Sequence, residues 1–376
     1  MKKVLLVARQ MIPSVLLCGH AQLTELARRG RLVYRRTAPA GCTAARIAWA
    51  DVLVFVRADD PFSLSAARLA RRAGKTCVCV LDDDLLCVPA GLESAAHYAL
   101  PETRRCLRGV MDQCQILLSP SAALMSKYGS GFARAERIEE PAFPACPAPP
   151  AAAGPVRIGF AGSVDRAGDV DALLIGALQR VKERFGSGVS IEFFGPRPAA
   201  ARRLGAVCYP YLDSYGEYRR AMETLGWEIG LAPLPDTPFH RCKHYNKYIE
   251  YAAFGIAGIY SDTEPYRAAV RHGENGLLAA NTEDAWFRAI SRLIEDEPLR
   301  RRIGCRCLAE ARDRYSVSEV ARVWEEIVEA APASPAFAPE LWLLWGALSV
   351  RSWASGARRL VSRALRLPFR RWEGRA

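Results

Sequence analysis

The sequence predicts an α/β protein: two parallel-sheet domains followed by a C-terminal helical tail. Three features carry that prediction. In both halves, short continuous apolar stretches alternate with amphipathic segments of about a dozen residues, the pattern of strands buried on two faces between crossover helices. A Pro/Ala-rich stretch at 141–155, PAFPACPAPPAAAGP, divides the chain. A second Pro/Ala break at 332–339 precedes a segment rich in Trp and Arg. The expected units are a first domain over 1–140, the linker over 141–155, a second domain over 156–330 and a tail over 331–376. A chain of 376 residues suits two domains of ordinary size, and its 50% hydrophobic content is enough for two cores.

Lys2–Ala8 reads as the first strand. The opening MKKVLLVARQ imitates a secretory leader, but Arg9 and Gln10 end the apolar run after five residues, which favours a buried strand. Met11–Gly30 offers a helix closed by Gly30, with Leu23, Leu26 and Ala27 on one face. The strand at Asp51–Val56 ends at Arg57, and a helix over Phe62–Ala73 is closed by Gly74. The strand at Lys75–Leu81 runs into Asp82, Asp83 and Asp84. Parallel sheets place functional groups at the carboxyl ends of strands, so Arg57 and the three aspartates are site candidates. The aspartates could hold a divalent ion against a diphosphate, accept hydrogen bonds from sugar hydroxyls, or cap a following helix. His97 falls on a helix surface; Gln115–Ser119 is a further strand, and Ser121 caps the helix after it.

The second half repeats the pattern. Val156–Ala161 is a strand, with Gly162, Ser163 and Arg166 in the loop beyond it and a helix from Asp169 to Phe185. A Gly-Ser turn feeding a helix can offer backbone N–H groups to a phosphate. The strand at Val189–Phe194 leads to Arg197; a helix over Tyr215–Leu225 and a strand over Trp227–Leu234 follow. His240 and His244 stand in the next loop, as catalytic candidates or as partners in local hydrogen bonds. A helix from about His244 to Phe254 stops at Gly255, and Lys243, Lys247 and Glu250, spaced four and then three apart, share one face of it. That face is either a solvated charge pattern or a grip on a sugar hydroxyl and a phosphate. The opposite face, Ile249, Ala252 and Ala253, suits packing on a sheet. A short helix at Pro265–Arg271, a Gly273/Gly276 turn, a strand at Leu277–Leu278 and helices at Asp284–Ile294, Leu299–Arg312 and Ser316–Ala330 complete the domain.

The net charge of +12 brings no zinc-finger spacing and no RNP-like strand, so nucleic acid is not an expected partner. Much of the excess sits after Arg351. The twelve cysteines form no CxxC pair, only Cys77/Cys79 and Cys305/Cys307, which reads as buried small hydrophobes in a reducing compartment with no metal site. No run of 18 apolar residues is present to span a membrane. Trp342, Trp345, Trp353 and Trp372 among arginines make the tail either an interfacial anchor for an anionic membrane or a helix packed on the protein body.

The segments Lys247–Gly255, Ile259–Ser261, Glu264–Tyr266 and His272–Leu278 together resemble the donor-site core of GT-B glycosyltransferases of the retaining family 4 type. The likeness is specific over Phe239–Leu278 and keeps its order over about Val156–Ala330; Val80–Leu86 resembles the first domain of the same group. The resemblance implies two Rossmann-like domains facing a cleft, the last helix of the second crossing back onto the first. It implies transfer of a sugar from a nucleotide-diphosphate sugar with retention of configuration, and no metal or cofactor. Glu250 would take the ribose and Lys243 and Lys247 the diphosphate. Gly162, Ser163, Arg166, Arg197, Glu264 and Tyr266 would surround the donor, and Arg57, Asp82, Asp83 and Asp84 would face the acceptor. These enzymes often carry two glutamates with seven residues between them, and the first position is Cys242 here. The implied partners are a nucleotide sugar, a glycan or lipid-linked acceptor in cell-surface polysaccharide or glycoconjugate synthesis, and an anionic membrane surface reached from the cytoplasm through the tail. Two alternatives stay open: a metal-dependent transferase using Asp82–Asp84, and a non-catalytic sugar-nucleotide or polysaccharide-binding protein, suggested by Cys242 and by the lack of a Gly-Gly loop after the first strand.

Overall fold

The computed structural model describes the backbone of residues 1–145 and 154–364, and their side chains up to Ala354 apart from Trp353. Most of the expected linker, 146–153, therefore lies outside the described residues, as does Trp372.

The first domain runs β1 (Lys2–Val7), α1 (Pro13–Val15), α2 (Ala21–Arg28), β2 (Leu32–Thr37), α3 (Ala44–Trp49), β3 (Val52–Val56), α4 (Pro61–Arg72), β4 (Thr76–Val80), α5 (Ala95–Tyr98), α6 (Pro101–Gln113), β5 (Ile116–Ser119), α7 (Ala122–Tyr128) and β6 (Arg134–Arg137). Its six strands pair in parallel in the order β2-β1-β3-β4-β5-β6. β3 and β4 are buried along their whole length because helices cover both faces of the sheet. The sequence pattern misses β2 and β6. Both are edge strands whose arginines and glutamate face outward, so neither forms an apolar run.

The expected helix over Met11–Gly30 is broken into α1, a π-helical turn over Leu16–His20, and α2. The break falls at Gly19, where a Cβ would lie 3.3 Å from Leu6 and 3.5 Å from Trp324. Asp60 caps α4, accepting from the N–H groups of Phe62 and Ser63 at 2.9 and 3.1 Å. Ser121 caps α7 as expected, its hydroxyl accepting from Leu124 N–H at 3.3 Å.

The second domain runs β7 (Val156–Ala161), α8 (Ala167–Leu173), α9 (Ile175–Phe185), β8 (Val189–Phe194), β9 (Val207–Tyr209), α10 (Tyr215–Leu225), β10 (Ile229–Ala232), α11 (Pro238–Arg241), α12 (Asn246–Ala253), β11 (Ala257–Ser261), β12 (Leu277–Ala279), α13 (Glu283–Glu295) and α14 (Glu297–Arg314). The parallel order β12-β11-β10-β7-β8-β9 is that of a dinucleotide-binding Rossmann sheet. The single helix expected over Asp169–Phe185 is two, joined at Leu174; nothing in the packing explains the break.

Two C-terminal helices pack on the first domain. α15 (Val317–Ala330) leaves the second domain and packs on α2 of the first. Its Ala321, Trp324, Ile327 and Val328 are buried among Val4, Leu6, Leu23 and Leu26. α16 (Pro339–Ala364) then lies along α4, burying Leu341, Leu344, Trp345 and Leu348 against the first core. Ser352 Oγ meets Ser65 Oγ at 2.8 Å and donates to Pro61 O at 3.1 Å. Of the two readings of the tail, packing on the body thus holds for this face of the helix. Among the described residues no helix is long and apolar enough to cross a membrane. The cysteines of the first core behave as small hydrophobes, burial pushing the Cys42 and Cys77 thiols up to about 12.

Because Trp324 from the second domain's last helix is wholly buried in the first domain's core, Trp324→Ala is expected to cost about 4 kcal/mol. A fall in the urea midpoint would register the loss, and an unchanged midpoint would show that the crossing adds no stability.

Candidate functional site

The cleft lies at the carboxyl ends of both sheets, where each strand order reverses. In the first domain that place is between β1 and β3, and Ser14 on α1 and Arg57 just after β3 line it. In the second it is between β7 and β10, and Gly162, Ser163, Pro233 and Leu234 line it. Switch points are where open α/β sheets bind ligands. The cavity is about 340 Å³, within the range of small-molecule sites.

α12 forms the second domain's wall. It begins at Asn246, two residues later than expected, and Gly255 ends it with φ 67°, a conformation glycine adopts without strain. Tyr248, Ile249, Tyr251, Ala252 and Ala253 are buried against the sheet. Lys247 Nζ meets Glu250 Oε2 at 2.6 Å, and the Tyr218 hydroxyl donates to Glu250 Oε1. Lys243 precedes the helix and reaches across the cleft instead, its Nζ 2.8 Å from Asp83 Oδ1. All three expected residues line the cleft, but Lys243 is separated from the other two by its partner.

Arg57 is the one non-glycine residue in the left-handed region among the described residues, with φ 48°. Such a backbone costs roughly 1–2 kcal/mol. Its guanidinium offsets this with a bidentate pair to Asp82, Nε–Oδ1 2.9 Å and Nη2–Oδ2 2.7 Å, and a bond to Asp83 Oδ2 at 2.6 Å. Burial would raise the Asp83 carboxyl, but Lys243 and Arg57 hold it well below the usual range. Asp84 does not join this cluster. It is buried beneath Lys127 Nζ at 2.5 Å and the Tyr128 hydroxyl at 2.7 Å, and no helix follows for it to cap. The three aspartates therefore do not converge on one point.

The loop after β7 also departs from expectation. Gly162 N–H is bonded to Phe194 O at 3.0 Å, so it is not available as a donor to a phosphate. Gly195, at φ 97°, allows that close approach, since a Cβ there would stand 2.0 Å from Gly162 O. Ser163 Oγ donates to Asp165. Arg166 Nη2 donates to Pro233 O at 2.7 Å, and its Nε pairs with Asp169 at 2.7 Å. Tyr266 is buried on the cleft wall. Arg197 and Glu264 are exposed and do not line the cleft.

Sequence reasoning missed the hinge. Glu139 and Glu140, the last residues before the Pro/Ala stretch, face His244 from the second domain: Glu139 Oε2 lies 3.1 Å from Nε2 and Glu140 Oε1 3.7 Å from Nδ1. Tyr245 OH donates to Glu139 at 2.8 Å. Burial alone would lower the His244 pKa, but the two glutamates outweigh it and hold it at about 9. Two acids placed directly before a domain break were the signal available. His240 lines the cleft with Nδ1 2.8 Å from Thr237 Oγ1, and burial lowers its pKa. Tyr218 and Arg219, on α10, were also missed as cleft residues.

Residues 247–306 match the family model described as Glycosyl transferases group 1, starting on α12 at Lys247 and running into α14. Sucrose-phosphate synthase from Thermosynechococcus elongatus shares the fold at 12% identity, TM-score 0.63, covering 88% of this chain and 98% of that one. Anabaena HepE, solved with UDP-glucose, shares it at 14% identity, TM-score 0.62, covering 88% and 100%. TarM shares it at 11% identity and TM-score 0.55 over 74% of this chain, which spans 55% of TarM. No curated protein matches the sequence. The two-domain architecture is thus that of the GT-B fold, and the segment matching the group 1 model begins on the α12 wall of the cleft.

His244 makes stability depend on pH. Its folded pKa of about 9 stands above the ordinary 6.5, so its contribution is complete below about 6.5 and is lost as pH rises through about 9. The loss is expected to be on the order of 3 kcal/mol. Urea unfolding across that window should show the decline in the wild type and a flatter profile in His244→Gln; parallel profiles would rule the pair out as its source.

Proposed function

We propose that this protein moves a sugar from a nucleotide-diphosphate sugar to a hydroxyl of a glycan or lipid-linked acceptor, with retention of configuration and without a bound metal. The observation that carries the reading is Glu250, oriented by Tyr218 and Lys247 at the cleft inside the matched segment. Glu250 accepts the ribose hydroxyls. Lys247 and Lys243 face the diphosphate, Lys243 exchanging Asp83 for it when the donor arrives. The leaving diphosphate gains charge in the transition state, and cations already fixed in a partly buried cleft stabilise that charge without reorganising. Arg166 adds to the field from the loop after β7. Asp82 and Asp83 keep oxygen lone pairs beyond those used by Arg57 and Lys243, suited to hydroxyl donors of an acceptor. The family 4 likeness of α12 and its surroundings supports retention, and the HepE complex supports a UDP-sugar among the donors to test. Synthesis of surface polysaccharide or glycoconjugate, at the inner face of an anionic membrane, belongs to the same proposal.

A thermal-shift screen against UDP, GDP, dTDP and CDP sugars, with and without EDTA, tests the donor site, because a ligand bound to the native state raises the melting temperature. One nucleotide should give a shift insensitive to EDTA and absent in Glu250→Ala. Turnover in that variant should fall at least about a hundredfold. Unchanged turnover in Glu250→Ala would sink the assignment, and a shift without any turnover would favour the binding-protein alternative.

A further inference from the structure

A second charged surface lies on the outer side of the first domain, apart from the cleft. α4 and α6 run side by side there, and the groove between them is lined by Arg68, Arg104, Arg105 and Arg108, with Asp112 as its acid. Arg104 Nη1 is held by Leu86 O at 2.8 Å, and Arg105 stands 3.6 Å from Glu102 with its side chain 57% exposed. Arg68 and Arg108 have no carboxylate within ion-pair distance among the described residues. The groove therefore presents guanidinium charge that the protein leaves largely uncompensated.

α16 lies along the same helix, α4, antiparallel to it. Pro335, just before α16, sits against Gly74 at the far end of α4, and Ser352 sits beside Pro61 and Ser65 at its start. With Leu341, Leu344, Trp345 and Leu348 turned inward, the outer side of α16 is not polar. Trp342 is 47% exposed, Leu343 80% and Val350 68%. Trp342, Gly346 and Val350 stand at i, i+4 and i+8 with Leu343 beside them, so these apolar groups form one stripe rather than scattered exposure. Arg351 follows the stripe, and from there to the C-terminus the sequence holds eight Arg and one Glu.

We infer that the face formed by α4, α6 and the outer side of α16 is a docking surface for an anionic lipid bilayer. It deepens the membrane part of the proposed function and assigns contact to folded surface, beyond the tail sequence alone. The chemistry fits one occupant. Trp, Leu and Val on an interfacial helix enter the boundary between headgroups and acyl chains, while arginines flanking them reach lipid phosphates. A soluble acidic partner would account for the arginines but gives no reason for the exposed apolar groups of Trp342, Leu343 and Val350 on α16.

Sedimentation of the full chain with phosphatidylglycerol/phosphatidylethanolamine vesicles, and with phosphatidylcholine vesicles, tests this. Binding should be confined to the anionic vesicles and weaken with salt. Arg68→Glu/Arg105→Glu/Arg108→Glu should lower the partition coefficient about a hundredfold, at about fivefold per arginine removed. Trp342→Ser/Leu343→Ser should lower it independently. Thermal melting of both variants, with and without nucleotide sugar, confirms that they fold and that the donor site is intact; it also separates failure here from failure of the transferase reading. Equal binding to phosphatidylcholine, no binding by the wild type, or loss only on removing 365–376 while both variants bind normally would each overturn the inference.

Discussion

Everything at the cleft depends on one burial. α15 belongs in sequence to the second domain, yet its Trp324 completes the core of the first, against Leu6 and the turn at Gly19. The first domain lacks its full apolar interior without that helix. Burying a tryptophan this way couples the cost of separating the domains to the cost of opening a core. At the end of the crossing, Lys2 Nζ donates to Ala331 O at 2.6 Å.

Charge then sets what the cleft does. The first domain contributes carboxylates at the ends of its strands, and the second contributes lysines around α12. Asp83 sits between the two, shared by Arg57 and Lys243. Lys243 and Asp83 thereby join the two walls of the cleft. The hinge uses the same principle in a drier setting: His244 is held charged by Glu139 and Glu140 at the point where the chain leaves the first domain. Such a buried pair owes more to geometry than to net attraction, since desolvation opposes it. Its value here is that the charges meet properly only when the domains stand in one orientation.

What sequence reading recovered follows the strength of the local signal. Central strands such as β3, β4, β7 and β8 are continuous apolar runs and were placed within a residue or so. Edge strands β2 and β6 carry outward-facing charges and β9 is only three residues long, and none was seen. Glycine stops at Gly30, Gly74 and Gly255 all take positive φ. The helix break at Gly19 escaped notice; the glycine sits against Leu6 and Trp324, which no window around it contains. Within the site, Lys247 and Glu250 were legible from helical spacing. Tyr218, which orients Glu250, was not, because nothing local in α10 marks which tyrosine faces another helix.

Taken alone, the sequence determined the α/β class, the strand ends that line the cleft and the helix on its second-domain wall. These rest on periodicity, glycine stops and a short motif, all of which are local physics. Tertiary structure alone decided the pairings. It turned Asp84 away to Lys127 and consumed the Gly162 N–H with Phe194 O. It also sent Lys243 to Asp83 rather than to Glu250, and split the faces of the tail helix between core and surface. Each of these depends on which distant side chain arrives at hydrogen-bonding or packing distance. That is a property of how the sheets and crossings bring the chain together, and no window of neighbouring residues contains it.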